Sequence, residues 1–239
     1  MVAGLFRSAG YFQGTELHEP RESNPRGFFE DVIVNNINEA LLAPLLPERR
    51  VERSVEYLAD APMHGQRWLA RIPPSIDIAA APYASEQIGA VLSQRPFCLK
   101  DPRFCFTLHL WRRHAPEARM ICVFRRPQIV VASILKEIAA MPYLANFALS
   151  VNEAFEVWRL MYLHVLERQA LTGDWLFVEY DDLFQPQVLD RLADFSAARI
   201  DRAFPDRSLD RSAAVATADP IADELFAELQ ARSRATLWR

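Results

Sequence analysis

Three short apolar runs, "FCLK" (Phe97 to Lys100), "MICVF" (Met120 to Phe124) and "WLFVEY" (Trp175 to Tyr180), set the frame for this chain. Each is nearly unbroken in its hydrophobicity, as a strand covered on both faces must be, and each is followed by a helix-like segment. That succession predicts parallel strands joined by right-handed crossovers. The helices have readable starts. Asp101-Pro102 supplies a capping side chain and a first-turn proline for a helix to about His114, and Pro127 opens another carrying Ile129, Val130, Ile134 and Leu135. Val151 to Leu171 places Ala154, Phe155, Trp158, Met161, Tyr162 and Val165 at helical spacing, and Asn35 to Leu46 and Ile221 to Arg232 are further amphipathic candidates. Ala61 to Ser85 holds four of the sixteen prolines and reads as irregular or loosely helical. With 239 residues, 51% of them hydrophobic, one core suffices. The expectation is a single domain over residues 1–239, a three-layer α/β fold with ligand chemistry at the carboxyl ends of the strands.

Several function classes are disfavoured. A net charge of −4 argues against a general nucleic-acid binder. The apolar stretches fall short of a membrane span, and no basic segment leads into an apolar run and cleavage site, so the expected location is cytoplasmic. Cys98, Cys105 and Cys122 are odd in number and lack C-x-x-C spacing, which fits buried small hydrophobes better than disulfides or a metal site. Neither the dinucleotide glycine fingerprint nor the G-K-[ST] nucleotide loop is present.

The strand ends carry the chemistry. "FCLKDPR" delivers Lys100, one of only two lysines, and "MICVFRRP" delivers Arg125 and Arg126. Cations at one edge of a parallel sheet, beside helix N-termini, form a crevice suited to phosphate or sulfate. Asp101 reads first as a helix cap. Arg103 is open between reaching the anion and facing solvent.

These residues resemble a known family. "RRPQIVVAS", with Arg125, Pro127 and Ser133, looks like the 3′-phosphate-binding motif of sulfotransferases that use 3′-phosphoadenosine-5′-phosphosulfate. "LKDPR" resembles the Lys-Asp-Pro element of bacterial carbohydrate-type and tyrosylprotein sulfotransferases. "VEYDDLFQPQVLDRLADF" is similar to their late strand and helix, and "ESNPRGFFEDVIVNNINEALL" to the Asn-Pro-x-Gly-aromatic-Glu stretch of the bacterial members. The four follow the family's order from about residue 1 to 198. The resemblance implies a P-loop-NTPase-like fold and sulfuryl transfer, without a metal, to a small-molecule, glycan or peptide acceptor. It implies that Arg125 and Ser133, with Arg103 as a further candidate, bind the cosubstrate. Lys100 would neutralise the departing phosphate, and Glu30 would be the general base, with neighbouring Asp31 as competitor. Acceptor recognition is expected in Ala61 to Ser85 and Met141 to Ser150. The competing readings are a nucleotide or small-molecule kinase on a similar sheet, and a non-catalytic protein that keeps 3′-phosphate recognition.

"GLFRSAG" (Gly4 to Gly10) has the composition of a phosphate loop but not its setting. Such a loop joins a buried strand to a helix, and Met1 to Ala3 are too few for that strand. The stretch fits better on the helix that follows the loop, with Val2, Leu5, Phe6 and Ala9 on one face. On that reading the domain is N-terminally incomplete, the 5′-phosphosulfate cradle is missing, and an unpaired edge is expected beside the Phe97 and Met120 strands.

Overall fold

A computed structural model describes residues 1–22, 24–46, 62–210 and 213–235. Among these lie eight α-helices and one two-stranded parallel sheet. The helices are α1 (Val2–Leu5), α2 (Val32–Leu42), α3 (Pro82–Leu92), α4 (Phe104–Arg112), α5 (Pro127–Ala140), α6 (Val151–His164), α7 (Pro186–Ser196) and α8 (Pro220–Ala235). The strands are β1 (Met120–Phe124) and β2 (Trp175–Glu179), in register from Met120 opposite Trp175 to Phe124 opposite Glu179.

Alternation along the strands sends side chains to two covered faces. Cys122, Phe124 and Phe177 pack with Val131 and Ile134 of α5, with Phe155 and Trp158 of α6 and with Leu225 and Leu229 of α8. Ile121, Val123, Leu176 and Val178 face the other way, onto Leu5 and Phe6 and onto Val188, Leu189 and Leu192 of α7. A third apolar cluster joins Val34, Ile37 and Leu41 of α2 to Ala84 and Ile88 of α3 and to Phe106, Leu110 and Trp111 of α4. Gly4 is required by the packing around α1, because a Cβ there would stand 2.2 Å from the Phe204 ring.

The Phe97–Lys100 run departs from expectation, since it does not join the ladder. Its pairing is one parallel bridge from Phe97 to Phe12, in which Phe12 donates to the Pro96 carbonyl and Cys98 to the Phe12 carbonyl, each at 2.8 Å. Gly10 at φ 75° and Gly14 at φ 136° turn the partner segment away on both sides, so no second pair forms. The Met120 N–H bonds toward β2, to the Asp174 carbonyl at 2.9 Å, so by alternation Val123 points to the far edge of β1. That edge carries no ladder among the described residues, and the Tyr162 hydroxyl donates to the Val123 carbonyl there at 3.1 Å.

Helix boundaries moved for local reasons. Asp101 does not cap α4: its carboxylate accepts from the Arg103 N–H at 2.7 Å and holds a turn over Pro102, so the helix starts later, at Phe104, with Arg103 in the cap position and no side chain capping it. The long helix from Val151 widens into a π turn at Val165–Gln169 and stops short of Leu171. Within the stretch read as irregular, Pro82 opens α3; Ala61 at its start lies outside the described residues. Arg7 and Ser8 are exposed in a short turn after α1. The three thiols are free, and burial pushes those of Cys98 and Cys122 up to about 12 and that of Cys105 well above its ordinary value.

Candidate functional site

Parallel register puts the carboxyl ends of β1 and β2 side by side, with Phe124 opposite Glu179. The next residue of each strand therefore meets its neighbour: the Arg125 guanidinium lies 4.1 Å over the Tyr180 ring. The same guanidinium donates through Nη2 to Asp210 at 2.8 Å and to Asp181 at 3.4 Å. Its side chain is 18% exposed. Ser133 lies exposed on α5, the helix that begins two residues after Arg125.

A second cluster brings together two residues seventy positions apart, Glu30 and Lys100. The Lys100 ammonium donates to Glu30 Oε1, with the lysine side chain 44% exposed and the glutamate 15%. Asp31 stands apart from this pair. It is the N-cap of α2, accepting from the Ile33 and Val34 N–H groups at 3.0 and 3.1 Å, and its other oxygen takes the Glu16 N–H at 2.8 Å. Gly14 makes room for it, since any Cβ there would lie 2.3 Å from the Asp31 side chain.

Arg103, considered for anion contact or for solvent, does not face solvent. It is 4% exposed and donates to Glu39 at 2.6 Å and to Asp101 at 3.1 Å. Among the described residues, two acids and two bases meet here, Glu39 and Asp101 with Arg67 and Arg103. Arg67 donates to the other Glu39 oxygen at 3.0 Å, and its backbone N–H adds a contact at 3.1 Å. The second Asp101 oxygen accepts from the Asn35 and Asn38 amides at 2.7 and 2.9 Å. Asn38 accepts in turn from Thr107 and from the Trp111 indole, both at 2.8 Å. This network pins Asp101 and thereby the backbone that presents Lys100. Sequence reasoning passed over Asn35, Asn38, Glu39 and Arg67, although a signal was there. Asn38 and Glu39 occupy the same helical face as Val34, Ile37, Leu41 and Leu42.

Residues 199–210 cross between the two clusters. The Asp201 N–H bonds the Leu5 carbonyl at 2.8 Å, and Phe204 meets Phe29 edge-on at 5.6 Å. Arg26 lies 5.2 Å over the Phe204 ring, donates to the Phe204 carbonyl and reaches Asp206 at 3.0 Å. Arg207 covers Phe184 at 4.6 Å, and Asp210 ends the run on Arg125.

The segments expected to bind an acceptor touch one another, for Gln66 donates to the Tyr143 carbonyl at 2.6 Å. Arg21 lies over both Tyr143 and Phe28, at 5.9 and 5.5 Å. Among the described residues there is no group of three or more His, Cys, Asp or Glu side chains placed to hold a metal ion, and no helix long and apolar enough to cross a membrane.

The histidines have other work. His164 is buried, its Nε2 2.8 Å from the Ile72 carbonyl and its ring edge-on to Phe106 at 4.8 Å. Burial holds the pKa of His164, and of His109, below the ordinary imidazole value. The unfolded chain therefore takes up protons first. Their stabilisation is whole above about 6.5 and falls as the pH drops below it. The urea midpoint should be lower at pH 5.5 than at pH 7.5, and His164→Gln should flatten part of that slope. An unchanged slope in the variant would remove His164 from the effect.

No family model matches the chain, nor does any curated protein or solved structure.

Proposed function

We propose that this protein is a sulfotransferase, moving a sulfuryl group from 3′-phosphoadenosine-5′-phosphosulfate to a hydroxyl or amine acceptor. The observation that carries the reading is the Glu30–Lys100 contact: an acid and a base from two distant motifs share one exposed site. Helices on both faces of the parallel sheet agree with a three-layer fold of the P-loop-NTPase-like kind.

The donor set suits the cosubstrate's 3′-phosphate. Arg125 is a planar fork already holding carboxylate oxygens, which stand where phosphate oxygens would be received, and α5 starts beside it. Ser133 would add its hydroxyl to the same anion. In the reaction the acceptor oxygen bonds to sulfur as the sulfur–oxygen bond to the phosphate breaks. Glu30 takes the acceptor's proton, and Lys100 meets the charge left on the phosphate. Arg103, committed to Glu39 and Asp101, holds Asp101, next to Lys100 in the chain.

Arg125→Ala tests the assignment by calorimetry with adenosine 3′,5′-bisphosphate. A charge-assisted contact contributes about 1.5–3 kcal/mol, so the variant should bind roughly tenfold or more weakly. Adenosine 5′-monophosphate, which lacks the 3′-phosphate, should bind both proteins alike. Equal losses for the two ligands would sink the role given to Arg125.

A further inference from the structure

We infer that Asp210 is a built-in competitor for the anion site: residues 199–210 form a strap whose carboxylate occupies Arg125 until a phosphate displaces it. The inference rests on the cosubstrate reading above and adds a regulatory element to it.

The strap is fastened along its length. Asp201 is tied to Leu5, Phe204 to Phe29 and Arg26, Asp206 to Arg26, and Arg207 to Phe184. Those fastenings sit on α1, on the stretch before α2, and on the turn after β2, so the strap's course is set independently of Arg125. Its last described residue then delivers a carboxylate to Nη2 of Arg125, the first residue after β1, at 2.8 Å. Asp181 adds a second, weaker acceptor at 3.4 Å. A guanidinium cannot give the same N–H groups at full strength to two anions, so carboxylate and phosphate compete. A binding site occupied by its own chain shows a lowered apparent affinity, in proportion to the fraction open. Asp210 thus raises the concentration of nucleotide required, and nucleotide binding releases this end of the strap.

The test is calorimetry with adenosine 3′,5′-bisphosphate on the 239-residue protein and on Asp210→Asn, which keeps the shape and removes the charge. The variant should bind about fivefold more tightly, the scale of a partly exposed ion pair. Trypsin supplies a second readout, because ligands ordinarily slow proteolysis. Here bisphosphate should accelerate cleavage after Arg202 and Arg207 in the native protein. If Arg125→Ala weakens binding while Asp210→Asn binds no more tightly than the native protein, the competitor role is wrong and the cosubstrate reading survives. Should neither the native protein nor Asp210→Asn bind the bisphosphate, both fall together. Binding gained only in Asp210→Asn would support the strap in its strongest form.

Discussion

Glu39→Ala should cost about 3–5 kcal/mol of folding stability, the usual consequence of leaving a buried charge without its counterpart. Glu39 is 1% exposed and receives both Arg67 and Arg103, whose side chains are 6% and 4% exposed. Truncation would remove a buried carboxylate that receives two guanidinium groups at once. Arg103 would keep its contact with Asp101, while Arg67 would lose the partner it holds at 3.0 Å. For a domain of this size each kcal/mol moves the melting temperature by about 2–4 °C, so a fall of roughly 10 °C is expected. Thermal melts followed by circular dichroism give the answer directly. A loss below about 1 kcal/mol would mean that water reaches the network, and the buried ion set would have to be redrawn.

The second large effect is on rate. In a version of the domain supplied with the 5′-phosphosulfate cradle, Lys100→Ala should lower kcat by about a hundredfold to a thousandfold, as loss of one preorganised charge at a developing anion does, and leave KM nearly unchanged. The asymmetry arises because the charge that Lys100 meets grows mainly in the transition state. Lys100→Arg keeps the cation but spreads it over a wider, planar head, and should recover only part of the loss. Measurements need a sulfonation assay with each acceptor class, phenolic, carbohydrate and peptide, against the same donor. A Lys100→Ala enzyme with native kcat would take this residue out of the mechanism.

What could be read from the residues divides along a physical line. β1 and β2 were legible because continuous apolar runs demand burial on both faces, whatever covers them. Phe97–Lys100 has the same composition, yet pairing needs a partner of sufficient length, and residues 11–13 between two turned glycines offer only one position. α5 was legible from Pro127, while α3 hid behind earlier prolines that made its opening Pro82 look like one more breaker. At the site, strand-end cations were plain, and family resemblance singled out Glu30 and Lys100. The Glu39–Arg67 and Glu39–Arg103 pairs were not, since they join residues 28 and 64 positions apart. Asp210 was equally silent: one aspartate among many, made special by the path of the strap.

The docking of α1 bears on the order in which the chain reaches its final state. Phe6 and Leu176 belong to one cluster although 170 positions separate them, and Leu5 and Gly4 are held by Asp201 and Phe204, later still. Four residues of helix cannot hold themselves against solvent. At a synthesis rate of about 5–20 residues per second, the apolar face of α1 waits on the order of ten seconds or more for its neighbours to emerge. Through that interval Leu5 and Phe6 are exposed to any chaperone or sticky surface nearby. This short helix is thus translated long before the segments that bury it.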